Sequence, residues 1–512
     1  VRASFLPFLL PVTLLIACPS VPGTDADGGT QSDAGTSGDG GTWPDGGLEP
    51  PPASCEAPAL VDVSTPATVV GDGTAASCTA AALQAAATRG GVIVFNCGEF
   101  PVTITVSSPI TFTKAAVLDG GGRITLSGGG TSRILLLDSA YDVTGPLLVV
   151  QRLTFRDGRS AGGGEDTAVG GGAIYRDGGS LKVIGCTFVG NRAPSPGQDI
   201  AGGAIYGFGG GETVIVGSTF IDNAASNGGA VGSLNGGLTL INSTFTGNAA
   251  TGYGGNPGNG GCGGAIYMDG AGEVTTLCGV RMTGNEAGAI GGGFFRVSNH
   301  DNGTFTMDRT TVDANRVTAT DSGNAGGMYL QGLTLRMTNS TVSRNKAFYN
   351  GGLWLHTSDV QLTNVTVAGN TAFGSNGGGL WLSNLRGGTL LNCTIANNRS
   401  TARDQIAGAI FGGGLTLQNT LIAGNTAMWV PGCNETHAGQ GNLEWPGGAE
   451  CTAAPLVADP LLGGLGHHGG DTETLVPGAT SPARGLGTGC PSTDQRGQPR
   501  AERCTAGAVE LP

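Results

Sequence analysis

Gly171-Gly172-Ala173-Ile174-Tyr175, followed by Thr187-Phe188-Val189-Gly190-Asn191, is one unit of a pattern repeated nine times between Gly171 and Asn425. The Gly-Gly pairs begin at Gly171, Gly202, Gly228, Gly263, Gly291, Gly326, Gly351 and Gly378, with Ala407-Gly408 as a decayed ninth. Each unit closes on an asparagine: Asn191, Asn223, Asn248, Asn285, Asn315, Asn345, Asn370, Asn398 and Asn425. From glycine to asparagine the distance is 18 to 24 residues; from asparagine to the next pair it is 5 to 15. A nearly constant core joined by an adjustable connection predicts one coil plus one loop. A coil that short cannot bury its own apolar face, so it must stack on copies of itself, which makes a solenoid.

The coil is built of strands. Leu238-Thr239-Leu240 and Leu333-Thr334-Leu335 alternate with period two, and Val, Ile, Thr and Phe surround them. Helical periodicity after the first 70 residues is confined to Cys78–Thr88. Two or three short strands per coil is the unit of a parallel β-helix, with coils stacked about 4.8 Å apart. In that geometry the nine asparagines line up as a ladder, each amide bonding the next. Bulky doublets follow the glycines: Ile174-Tyr175, Ile205-Tyr206, Ile266-Tyr267, Phe294-Phe295, Trp354-Leu355 and Trp381-Leu382. Adjacent strand residues point to opposite sides. With Ile174, Ile205, Val231 and Ile266 inside, Tyr175, Tyr206, Tyr267 and Phe295 form an outer aromatic face able to bind glycan or protein, unless the long loops, notably 249–261, fold over it.

The two ends differ from the middle. Residues 1–18 have an apolar run, Phe5–Ile16, after Arg2 and before Ala17-Cys18, the pattern of an export signal. Residues 19–54 are rich in Gly, Asp, Ser, Thr and Pro, and their composition predicts a disordered tether. Residues 55–160 read as an N-terminal cap and first coils, 161–430 as the repeat body, and 431–512 as a Cys-rich C-terminal cap. In an exported chain disulfides persist, and local spacing suggests Cys78 with Cys97, Cys433 with Cys451 and Cys490 with Cys504, with Cys262–Cys278 as a further option. A net charge of −13 argues against a nucleic-acid partner.

Leu15-Ile16-Ala17-Cys18 resembles the bacterial lipobox, which implies acylation of Cys18, a membrane partner through that lipid, and an outer-membrane address. The repeat resembles the Gly-Gly-Ala-Ile and Phe-x-x-Asn units of chlamydial polymorphic outer-membrane proteins and related β-helix proteins, which implies a right-handed helix. Asp459-Pro460, Gly469-Gly470-Asp471-Thr472-Glu473-Thr474, Asp494-Gln495-Arg496-Gly497 and Gly507-Ala508-Val509-Glu510 resemble the choice-of-anchor Q region of exported bacterial β-helix proteins. The polymorphic proteins end in a membrane barrel that has no counterpart here, so autotransport is not implied.

The reading that follows is an all-β, surface-tethered lipoprotein used for adhesion or for binding extracellular polysaccharide or protein. The alternatives are a pectate-lyase-like lyase or a glycoside hydrolase, and an envelope protein with a purely structural role. A lyase needs carboxylates for calcium and a basic residue at the reacting proton; Asp308, Asp313 and Arg316 are the best candidates, and calcium enters only under that alternative. Glu165-Asp166 is the only adjacent acidic pair, and Gly466-His467-His468-Gly469 reads as a turn. No Cys-x-x-Cys or His/Cys cluster suggests zinc.

Overall fold

A coil in the middle of the repeat body shows how the sequence makes the architecture. Ile266–Asp269 is a strand, the chain turns through a Gly-rich corner, and Val274–Cys278 is a second strand. Gly279, at φ 66°, bends the chain into Arg281–Thr283; Gly284 and Asn285 turn it again into Glu286–Ala287. These four segments define faces 1 to 4 of the coil. Each pairs in parallel with its counterparts one coil before and after: Ile266 lies between Val231 and Phe294, and Leu277 between Leu240 and Met307. Met282 lies between Phe245 and Val312, and Ala287 between Ala250 and Val317.

This is a computed structural model, and it describes residues 54–162, 166–374, 376–401 and 407–512. The export signal, Cys18, the stretch 19–53 and Glu165 lie outside the described residues. Among the described residues, face 1 is an eleven-stranded sheet, faces 2 and 3 merge into one 26-stranded sheet, and face 4 is seven-stranded. The chain is an all-β parallel solenoid. The one α-helix among the described residues, Ala80–Arg89, buries Leu83, Ala86 and Ala87 against the first coils, and Cys78–Cys97 closes that end.

Sequence periodicity becomes packing through columns one residue wide. Ile174, Ile205, Val231, Ile266, Phe294, Met328, Leu353, Leu380 and Ile410 form one inner column of face 1, all inaccessible to solvent. On face 3, Phe155, Phe188, Phe220 and Phe245 stack with centroids 4.8, 4.6 and 4.6 Å apart and nearly parallel rings. The asparagines form a buried rail at the turn after face 3. Asn285 Nδ2 donates to Asn315 Oδ1 (2.9 Å) and to the carbonyl of Phe245 (3.0 Å), while its Oδ1 accepts from the backbone N–H and Nδ2 of Asn248. The same bonds recur from Asn191 to Asn425.

One glycine of each pair is required by close approach. A Cβ on Gly264 would lie 2.0 Å from the carbonyl oxygen of Gly292, and one on Gly326 would lie 2.5 Å from that of Gly351. This column is the second glycine of the early pairs and the first of the late ones, and in the ninth unit it is Gly408. The decayed pair therefore keeps the glycine that matters.

A second column of turns separates faces 2 and 3. Arg152, Gly185, Gly217, Asn242, Gly279, Arg309, Asn339, Asn364, Asn392 and Asn419 all have positive φ, between 45° and 66°. The bend makes a shallow groove along the flank, and two segments of the chain lie in it. At the N-terminal side, Val61 exchanges both backbone bonds with the Gln151 carboxamide (2.9 and 3.0 Å), and Cys55 does the same with Asn242 (3.0 and 2.8 Å). Cys55 is also disulfide-bonded to Cys278, and Val61 packs over Val149, Ile184 and Val216.

The C-terminal segment fills the rest. Residues 433–457 add strands Ala438–Gln440, Leu443–Trp445 and Leu456–Val457 at the end of the stack, with Cys433–Cys451 across them. Residues 459–511, read from the sequence as part of that cap, instead double back along the flank. Asn364, Asn392 and Asn419 donate to the carbonyls of Thr493, Thr505 and Thr488. Gln495 reaches Thr341 and Thr366, and Arg344 pairs with Glu473. The physical reason is that the bend asparagines have carboxamides left over after the backbone is paired, and an extended chain satisfies them. Cys490–Cys504 holds this segment closed. The option of Cys262–Cys278 is corrected by the same geometry: Cys278 is bonded to Cys55 in the groove, and Cys262 is free and buried against the aromatic rings outside face 1.

Candidate functional site

The outer column of face 1 is aromatic at all but one position from Tyr175 to Phe411. In register it runs Tyr175, Tyr206, Gly232, Tyr267, Phe295, Tyr329, Trp354, Trp381 and Phe411. The doublets of the later coils are therefore Leu353-Trp354 and Leu380-Trp381; reading them as Trp354-Leu355 and Trp381-Leu382 shifts the indoles to the wrong side.

Of the two alternatives for Tyr175, Tyr206, Tyr267 and Phe295, an open face or one covered by the long loops, the structure has the covered one, and their placement as an open binding face is corrected. Their exposures are 5%, 0%, 0% and 1%. Loop residues ending just before the glycines, Ala201, Cys262, Ile290 and Ala325, pack on the rings. The loop 249–262 adds Asn256, whose Nδ2 donates to the Tyr267 hydroxyl (2.8 Å) and to Asp269 (2.7 Å). Burial raises the tyrosine hydroxyls well above their ordinary range, with Asp269 and Asp199 adding to the shift. These four residues form a second, external core.

Further along, the cover thins. Trp354, Trp381 and Phe411 are half-buried. Trp354 and Trp381 stack with centroids 4.1 Å apart and planes within 7°. Phe411 is 6.2 Å from Trp381 and tilted rather than stacked. Polar groups edge the pair: Trp354 Nε1 donates to Ser383 Oγ (2.7 Å), and His356 Nδ1 lies 2.8 Å from the same oxygen. Burial lowers the pKa of His356, with Asp301 partly offsetting it. The result is a strip of indole with hydroxyl and imidazole beside it.

The candidate catalytic groups take other places. Asp308 ends a face 2 strand and accepts from Arg309 (2.8 Å), Thr338 (2.7 Å) and Asn339 (3.0 Å). Asp313 ends a face 3 strand and accepts from Ser343 and Arg344, both at 2.7 Å. Arg316 begins a face 4 strand and pairs with Glu286 at 2.6 Å. Three faces of one coil carry them, each with its own partner. His468 bonds the carbonyl of Gly464 in an exposed turn. Among the described residues no group of three or more His, Cys, Asp or Glu side chains is placed to hold a metal ion, and no helix is long and apolar enough to cross a membrane.

No family model matches the chain, and no curated protein matches it. Several solved structures are similar in chain path, three of them as follows. Pectate lyase Pel9A is 13% identical over 85% of this chain and 91% of that one, with a TM-score of 0.35. The periplasmic alginate epimerase AlgG is 11% identical over 70% and 75%, with a TM-score of 0.32. PfbA, a surface adhesin of Streptococcus pneumoniae, is 12% identical over 78% and 94%, with a TM-score of 0.30. At these identities and scores none of the three says what this chain binds or does.

Proposed function

We propose that this chain is an exported β-helix protein, tethered through a lipid on Cys18, that binds extracellular polysaccharide through the open end of its outer aromatic column. The observation that carries the reading is the change in cover along one register column, from fully buried Tyr267 to the half-buried stacked pair Trp354 and Trp381. Aromatic rings supply an apolar surface for the C–H groups of a sugar, and Ser383 and His356 supply hydrogen bonds for its hydroxyls. Four disulfides suit an oxidising compartment.

Attachment geometry supports the same reading. Faces 1 and 2 oppose each other across the core, where Phe294 meets Phe305 edge to face at 5.6 Å. Ser54 lies at the far flank, its carbonyl held by Arg309. The chain that precedes Ser54 therefore joins the solenoid away from face 1.

The test is retardation of the full chain in native gels cast with xylan, laminarin, pectin or alginate. Retardation by at least one polymer, lost in Trp381→Ala and kept in Tyr253→Ala, is the expected outcome. Absence of retardation in every gel, or retardation indifferent to Trp381, would overturn the proposal.

A further inference from the structure

The chain's own segments lie in the flank groove at Asn419, Asn392, Asn364, Asn242 and Gln151, and among the described residues none is bonded into its N-terminal head. The N-terminal segment leaves the groove at Val63, and beyond that point lies a cavity of about 390 Å³. It is lined by Asn96, Phe100, Asp119, Arg123 and Arg152, around the Gly120–Gly122 bulge where the strand register slips between Asp119 and Ile124. A Cβ on Gly121 or Gly122 would meet nothing within 4 Å, so the bulge opens to the outside.

The groove's filled length shows what it holds. Along it, side-chain carboxamides grip extended main chain: Gln151 takes both the N–H and the carbonyl of Val61, Asn242 both of Cys55, and Asn364 and Asn392 the carbonyls of Thr493 and Thr505. The head offers the same kind of group in Asn96, whose exposed carboxamide makes no side-chain bond among the described residues. It adds charge. Asp119 is neutralised by Arg152, at 3.0 and 2.5 Å, and is further bonded by Gln151 and the Gly121 N–H. Arg123 is exposed, with no ion pair among the described residues, so the lining keeps one net positive charge. Beside it Phe100 is 79% exposed, an isolated aromatic ring at the mouth.

We propose that the head of the groove is a docking site for an extended acidic peptide. Its main chain continues the line of the Ser54–Val63 segment and bonds Asn96. One Asp or Glu side chain pairs with Arg123, and a neighbouring apolar side chain packs on Phe100. The interface is a continuation of one the chain already makes with itself, and its charge is the opposite of that of the ligand. An acidic saccharide offers the charge without the main-chain amides that the groove grips elsewhere.

The experiment is fluorescence anisotropy on the full chain with a fluorescein-labelled peptide of alternating Asp and Val, its Asn-for-Asp counterpart, and oligogalacturonate as competitor. Saturable binding of the acidic peptide, weakened at least tenfold by Arg123→Ala and in the Asn counterpart, and reduced by added salt, supports the site. Phe100→Ala weakens it as well. Both side chains are exposed, and an unchanged melting temperature shows that the variants fold. Failure of the acidic peptide to bind, binding indifferent to Arg123→Ala, or displacement by oligogalacturonate at equal charge would overturn it. Trp381→Ala leaves peptide binding intact if this site is separate from the polysaccharide surface; loss there would place the peptide on face 1 and contradict the assignment.

Discussion

Cys55 and Cys278, 223 residues apart in the chain, are bonded to each other across the flank groove. The bond ties the segment before the first coil to a coil in the middle of the stack. Removing it with Cys55→Ser frees a very long loop in the unfolded chain, and loop-closure arguments put the loss at about 2–5 kcal/mol. The expected outcome is a lower urea midpoint and new protease cuts within 54–67, with the repeat body intact. Unaltered protease resistance of that segment would show that Gln151 and Asn242 hold it without the disulfide.

The asparagine rail makes a sharper demand. Asn285→Ala removes four buried hydrogen bonds at once, which costs about 3 kcal/mol or more. Asn285→Asp is worse at neutral pH, because the carboxylate faces Asn315 Oδ1 and the Phe245 carbonyl, both acceptors, with no donor of its own. Equilibrium unfolding of the two variants checks the order.

Two glycines with different surroundings separate close approach from backbone freedom. Gly264→Ala places a Cβ 2.0 Å from the Gly292 carbonyl oxygen and should force coils apart, lowering the melting temperature markedly. Gly122→Ala meets nothing within 4 Å and suffers only its positive φ of 76°, a cost of about 1 kcal/mol.

Asp119 sets an acid limit at the head of the groove. Burial alone would raise its pKa, but bonds from Arg152, Gln151 and the Gly121 N–H outweigh that and hold it below the ordinary carboxylate value. A depressed folded pKa contributes stability that is present above the unfolded value, about 3.9, and lost as pH falls through the folded one. Thermal melts of the wild type and Asp119→Asn should therefore converge below about pH 4 and differ above it.

The period, the strand character and the alignment of the asparagines were legible because each follows from local spacing. The second turn column was also written in the sequence, as the Gly or Asn two residues before many of the Thr-Phe, Thr-Val and Thr-Ile runs, for example Gly217, Asn242, Asn339 and Asn392. Its identity as a groove was not legible, because the segments that fill it come from 90 to 255 residues away on the N-terminal side, as at Gln151, Asn242 and Arg309. The aromatic face was legible as a column and illegible as a surface. Alternation places Tyr267 outside the strand, but only the path of loop 249–262 decides that it is covered. The indole pair was hidden by a one-residue slip in register, which reverses every side chain.

The most direct measurement is hydroxyl-radical footprinting of the intact chain, free and saturated with whichever polysaccharide retards it. The account predicts that Trp354, Trp381 and Phe411 lose labelling on binding, while Phe100 and Tyr253 keep theirs. Protection of Phe100 or Tyr253 with the indole pair labelled as before would contradict it.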